Sequence, residues 1–157
     1  MLRRLMEEPF YNLHGLFAKG LQMPIRLLAL LRGMLREVDP ELAQCLDAIG
    51  AGELHFCLNW LLTLLAYSLP FETLCDVWGL FVREGWLALL KVCLALVLSA
   101  RDDLLVGALD LEAALGILKV APVFPPADLL ARAKLPRLRP EWRMAVLVAT
   151  RSDLFQQ

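Results

Sequence analysis

The sequence predicts an all-α protein. Three observations carry that expectation: 39 leucines and 18 alanines stand against 10 valines, 3 isoleucines and 3 threonines. Apolar residues also recur at helical rather than alternating spacing, and prolines and glycines fall at the ends of those runs. Straight-chain side chains lose little rotamer freedom in a helix and branched ones lose more, so composition alone argues against a sheet. With 157 residues, 16 basic and 17 acidic side chains, the chain has one domain's length and is nearly neutral. It therefore offers no field for holding nucleic acid.

The elements follow in order from that punctuation. Met1 to Glu8 is expected to be helical and stopped by Pro9, and Phe10 to Gly20, with Gly15 and Gly20, to be irregular. Pro24 suits a first helical turn, after which Leu27, Leu31, Met34, Leu35 and Val38 form one stripe, with Arg32 and Arg36 on another side. Asp39-Pro40 reads as an N-cap followed by a helix-starting proline, and that helix ends near Gly50. Longer helices are expected from Glu53 to Tyr67 and from Pro70 to Arg83. The second should turn Phe71, Leu74, Trp78 and Phe81 inward and Glu72 and Asp76 outward.

Gly85 interrupts the pattern before Gly85 to Ala100, which is apolar almost all round, as the central helix of a core would be. Ser99 to Asp103 reads as a turn, and Asp110 as the cap of a helix carrying Leu111, Leu115 and Leu118. The prolines of 121–126 break the chain, a short helix runs to Ala133, and a basic stretch with Arg132, Lys134, Arg137, Arg139 and Arg143 precedes an apolar segment from Trp142 to Ala149.

Mean hydropathy is +0.57, and Leu54 to Phe71 runs 18 residues without a charge, the lower limit for a membrane span. Yet His55, Asn59, Thr63 and Tyr67 recur every fourth residue and Pro70 closes the run, so a buried helix with a polar stripe is expected and no span. Cys45, Cys57, Cys75 and Cys93 contain no CxxC pair and sit in apolar stretches, as small buried hydrophobes of a reducing compartment would. The first eight residues are amphipathic and lack a signal peptide's apolar run.

Chemistry that leans on histidine and cysteine has little material here. His14 and His55 are the only histidines, and His55 and Cys57, two apart, point away from one another on a helix. No phosphate loop, dinucleotide fingerprint or HExxH occurs, and the acidic pairs Glu7-Glu8, Glu72 with Asp76, and Asp102-Asp103 lie in solvated contexts. The expectation is therefore no catalytic, cofactor-binding or metal-binding residue.

Between residues 54 and 98 the pattern becomes specific. Asn59-Trp60 through Tyr67, Leu69-Pro70-Phe71-Glu72, Val77-Trp78, Phe81, Glu84-Gly85-Trp86 and Leu89 through Leu96 resemble, in order and spacing, the C-terminal half of the TBC domain of Rab GTPase-activating proteins. Tyr11 to Phe17 followed by Gly20, Leu35 with Asp39 to Ala43, Asp110 to Leu115, and Leu129 to Ala133 are similar to further segments of that family.

The resemblance implies a helical array like the C-terminal lobe of a TBC domain over 1–134, with 135–157 as a C-terminal extension. It implies a Rab-family small GTPase as partner and a cytoplasmic protein peripheral to endomembranes. Trp60, Pro70, Trp78, Glu84 and Gly85 are the motif residues, with structural rather than catalytic roles. Asn59 and Gly79 depart from the family pattern, which has Arg or Gln and Asp at those places.

Such proteins accelerate GTP hydrolysis with an arginine and a glutamine from IxxDxxR and YxQ motifs in the other half of the domain. Neither motif occurs in this sequence. The resemblance thus implies a part of a Rab-GAP that is inactive alone, or alternatively a non-catalytic helical interaction or scaffold module. Half a helical domain would expose an apolar face, to be covered by its own N-terminal half, a partner or a second copy.

Overall fold

The apolar run from Trp86 to Ser99 forms the helix around which the others are laid. In the computed structural model, which describes residues 5–6, 11–108, 110–119, 126–134 and 138–151, ten α-helices and no strand occur among the described residues. They are α1 (Leu13–Leu16), α2 (Gln22–Val38), α3 (Pro40–Ala48), α4 (Leu58–Leu62), α5 (Phe71–Glu84), α6 (Trp86–Ser99), α7 (Arg101–Gly107), α8 (Leu111–Lys119), α9 (Pro126–Lys134) and α10 (Glu141–Thr150), with a 3-10 turn over His55–Cys57. The all-α expectation holds. Of the helix expected over Met1 to Glu8, only Leu5 and Met6 are among the described residues, and both are helical. Most of the proline-rich 121–126 segment lies outside them.

Because α6 is apolar almost all round, it is buried over most of its surface: Leu90, Val92, Cys93 and Leu94 are fully enclosed, and Leu87 and Lys91 are half-buried. Helices α2, α5, α7, α9 and α10 all pack against it. No described helix is long and apolar enough to cross a membrane.

α2 buries the expected stripe, with Leu27, Leu31 and Met34 fully enclosed, while Arg32 and Arg36 face outward. Both reach Asp47 of α3, Arg32 Nη2 at 3.1 Å and Arg36 Nη2 at 2.8 Å, and Arg32 also pairs with Glu53. The hydrogen bond from Arg36 and the charges of both arginines hold the Asp47 carboxyl below its usual pKa, against the opposing effect of partial burial. At the α2–α3 junction the Asp39 carboxylate accepts the Leu42 N–H at 3.0 Å and Pro40 opens the helix, as the sequence predicts. Asp39 also accepts from Arg101 Nε at 2.6 Å, which fastens the start of α7 to this junction.

The stretch expected to be irregular holds the one-turn helix α1, and α7 begins at Arg101 inside the expected turn, where Asp102 and Asp103 suit the positive end of the helix dipole. Two larger expectations fail, for one reason each. The helix expected from Glu53 to Tyr67 is instead a 3-10 turn followed by the five residues of α4. It ends in a Schellman motif: the Leu65 N–H donates to the Trp60 carbonyl at 2.8 Å and the Leu64 N–H to Leu61 at 3.3 Å, with Leu64 at φ 49. Glycine normally marks this left-handed position, and here leucine occupies it, so the stop has no sequence signal.

The second failure is the register of α5. Leu74, Val77, Leu80 and Phe81 are buried, whereas Phe71 is 78% and Trp78 42% exposed. That register also turns Cys75 outward, so of the four free cysteines only Cys57 and Cys93 are buried, and Cys45 is half-buried. Burial raises both enclosed thiols, Cys93 to about 12.

α10 packs against α2 and α6. Its Trp142 lies across Gly33 of α2, and the indole N–H donates to Glu37 Oε2 at 2.8 Å. Arg139 donates to the same carboxylate through its backbone N–H and Nε, each at 2.9 Å. These bonds, that from Trp142 foremost, hold the Glu37 carboxyl below its usual pKa. A Cβ added at Gly33 would clash with the Trp142 ring. Gly33→Ala is expected to push the indole out of its seat and destabilise the fold by about 1–3 kcal/mol in urea denaturation. Trp142→Leu in the same background should recover part of the loss; an unchanged midpoint for Gly33→Ala would show that α10 does not rest on this contact.

Candidate functional site

The five motif residues form two groups, one about the α4–α5 junction and one at the α5–α6 junction, and α5 between the junctions is about 21 Å long at 1.5 Å per residue. At its N-terminal end, Pro70 takes φ −58 and ψ 150, outside the helical region, and its carbonyl accepts the Leu74 N–H at 2.9 Å, so it starts the helix without a side-chain cap. Two turns on, Trp78 reaches back: its indole N–H donates to the Leu64 carbonyl at 2.9 Å, across the left-handed turn that ends α4. Trp60 lies beneath the same turn, 8% exposed and edge-on to Phe56 with ring centres 6.0 Å apart. Trp60, Pro70 and Trp78 therefore gather around one junction, α4 to α5.

Glu84 and Gly85 sit at the other end. Glu84 is the last residue of α5 and exposed. Gly85 alone separates α5 from α6, with φ 73 and ψ −157; its N–H donates to the Phe81 carbonyl at 2.7 Å and its own carbonyl accepts from Ala88 at 3.1 Å. The structure does not bring these two residues together with the tryptophan–proline group.

Around Gly85 stand residues that were not among the sequence candidates. Phe81 and Trp86 meet edge to face with ring centres 5.1 Å apart, and Tyr11 meets Phe81 at 5.7 Å. The Tyr11 hydroxyl donates to the Val82 carbonyl at 2.6 Å, and the Trp86 indole N–H donates to the Tyr11 carbonyl. Asn12, buried and left-handed at φ 42, donates from Nδ2 to the Thr150 carbonyl at 2.7 Å, and its Oδ1 accepts the Gly15 N–H at 3.2 Å. Residues 11 and 12 thereby tie the α5–α6 corner to the end of α10. Tyr11, Asn12 and Trp86 lie within the segments that carry the family resemblance, which was the available signal, and asparagine also tolerates left-handed backbone.

Among the five, Glu84 is the one ionisable group, and the others hold turns and rings in place. Among the described residues no group of three or more His, Cys, Asp or Glu is placed to hold a metal ion. His55 is exposed while Cys57 is buried, so the two do not face each other. What the α5 region presents to a partner is a surface: Phe71, Cys75 and Trp78, at i, i+4 and i+7, share its exposed face.

Comparison with known proteins assigns this architecture. Residues 1–105 match the model of the Rab-GTPase-TBC domain. The chain is 29% identical over 85 residues to TBC1 domain family member whacked of Drosophila melanogaster, covering 54% of this chain and 23% of that protein. It is 29% identical over 120 residues to Rab GTPase-activating protein tbc-11 of Caenorhabditis elegans, covering 76% and 12%, and 37% identical over 64 residues to Carabin of Mus musculus, covering 41% and 14%. The matched stretches thus span less than a quarter of each of these relatives. No solved structure matches significantly. With two thirds of its length on the family model and the all-helical fold that such a domain requires, the chain belongs to the Rab-GTPase-TBC domain family.

Proposed function

We propose that this chain is the C-terminal half of a TBC domain, that it binds a Rab-family GTPase as part of a Rab GTPase activator, and that it does not stimulate GTP hydrolysis alone. The family match over residues 1–105 carries the reading, taken with the absence of IxxDxxR and YxQ from all 157 residues. An arginine finger stabilises charge on the transferring phosphoryl group and a glutamine orients the attacking water; together they are worth several decades in rate. No residue of this sequence stands in either motif. The fingers would come from a complementary N-terminal half, joined to this chain or supplied separately. In this reading Trp60, Pro70, Trp78, Glu84 and Gly85 keep the helices in register, and the protein works in the cytoplasm, at the surface of endomembranes where its GTPase partner resides.

Single-turnover GTP hydrolysis by a panel of Rab proteins, run beside a binding assay with each nucleotide state, tests both halves of the proposal. The expected result is binding of one or more Rabs with hydrolysis at the intrinsic rate. Acceleration by this chain alone would overturn the inactivity.

A second reading, a helical interaction module with no GTPase connection, is favoured by the exposed face of α5, where Phe71 and Trp78 lie beside the outward Cys75. Failure to bind any Rab in any nucleotide state would decide for it.

A further inference from the structure

Lys91 is the single charged residue in the fourteen of α6, and it is half-buried. Its surroundings explain the exception. A cleft of about 560 Å³ opens between the end of α5, the first half of α6 and α10, and its walls include Arg83, Glu84, Leu87, Lys91, Arg143 and Leu147. From α10 it takes Arg143, Val146, Leu147 and Thr150, which repeat at i, i+3, i+4 and i+7 and so form one face of that helix. Three cations from three helices thus meet at one concavity with an apolar wall.

Arg32, Arg36, Arg101 and Arg139 each hold a carboxylate, whereas among the described residues Arg83, Lys91 and Arg143 have no ion-pair partner. Arg83 extends back along α5, its Nη1 3.8 Å from where a Cβ on Gly79 would stand, so the position one helical turn before it offers no carboxylate. Against these three positive charges the cleft contains Glu84 alone. Two positive charges remain uncompensated in an open cleft, with Arg83 and Arg143 exposed and Lys91 half-buried, and like charges gathered at a concavity attract an anion.

A phosphomonoester carries about −1.5 to −2 charges at neutral pH and three strong acceptor oxygens. Two of the cations are guanidinium forks, whose geometry suits phosphate oxygens. A lone carboxylate would supply half of the charge. The volume falls in the range of small-molecule sites. We propose that this cleft binds a phosphomonoester, with the phosphate among Arg83, Lys91 and Arg143 and the organic body against Leu87, Val146 and Leu147. The site is separate from the tryptophan–proline junction, and the proposal stands whether or not the chain binds a Rab.

A soluble phosphate ester and the head group of a phosphorylated inositol lipid share this chemistry. Phenyl phosphate titrated into the full chain should shift the amide resonances of the α5–α6 corner and of α10, and benzoate at equal concentration should bind at least about tenfold more weakly. Lys91→Met and Arg143→Gln should each weaken phenyl phosphate by about tenfold or more, the size expected for loss of one charged hydrogen bond. Gly79→Asp, which places a carboxylate within reach of Arg83, should weaken it by a smaller factor. Matching circular dichroism and thermal midpoints show that the variants fold.

Flotation with vesicles containing phosphatidylinositol 4-phosphate, competed by phenyl phosphate, would identify the lipid as the source; phenyl phosphate binding without flotation would identify a soluble ester. Absence of shifts with phenyl phosphate, equal binding of benzoate, or binding unchanged in Lys91→Met and Arg143→Gln would overturn the proposal.

Discussion

Trp86→Ala is expected to be the most damaging single substitution in this chain, at about 3–5 kcal/mol in urea denaturation followed by circular dichroism. Trp86 is 1% exposed and opens the central helix. Its ring meets Phe81, which in turn meets Tyr11, and its indole N–H donates to the Tyr11 carbonyl. Truncation removes a large apolar body and leaves a cavity where α5, α6 and the 11–12 segment meet. It also deprives a carbonyl of its donor. A domain of ordinary stability, about 5–15 kcal/mol, would lose a large part of it.

Trp86→Phe keeps one six-membered aromatic ring and removes the N–H with the rest of the indole. It should cost an intermediate amount, about 1–3 kcal/mol, the lost hydrogen bond plus a smaller cavity. A loss of less than about 1 kcal/mol for Trp86→Ala would mean that the corner repacks around the vacancy and that the aromatic stack does not hold it together.

Gly85→Ala should destabilise by about 1–3 kcal/mol through the backbone alone. With φ 73 and ψ −157, Gly85 lies in a region that L-residues other than glycine avoid, and it is the whole connection between two fourteen-residue helices. The chain has no neighbouring loop residue into which the turn can shift. D-alanine, introduced by semisynthesis, takes these angles without strain, since they mirror the extended region of an L-residue. Recovery of stability with D-alanine would attribute the loss to backbone strain; equal damage from both enantiomers would point to crowding by the new methyl group and count against the strain argument.

Helix class, the capped start of α3 and the central position of α6 were legible in the sequence because each rests on a local rule. Leucine-rich composition favours helix residue by residue. Asp39 followed by Pro40 is a capping signal with a hydrogen bond behind it, seen at 3.0 Å from Leu42. A run apolar on almost every face has nowhere to sit except inside, and Leu90, Val92, Cys93 and Leu94 are indeed fully enclosed. The family was legible too, through spaced tryptophan, proline and Glu-Gly pairs.

The ends of α3 and α4 show where local rules stop. Both close with the same long bond, Ala51 N–H to Leu46 at 2.8 Å and Leu65 N–H to Trp60 at 2.8 Å. At the first, Gly50 takes φ 77 and announces the turn; at the second, Leu64 takes φ 49 and does not. A leucine accepts that conformation because Leu65 is buried without exposed surface and Trp78, fourteen residues later, donates to the Leu64 carbonyl. The outward register of Phe71 and Trp78 follows from the same contact, which draws the indole over the turn instead of into the core.

By itself the sequence determined the helical class and the buried helix at the centre, consequences of composition and periodicity along the chain, and its motif residues carried the resemblance to a family that the comparison then showed. Only the tertiary structure decided which face α5 exposes, that Tyr11 and Asn12 bind the corner to α10, and that Arg83, Lys91 and Arg143 share one cleft. Contacts between residues tens of positions apart depend on how helices cross, and no local pattern encodes that geometry.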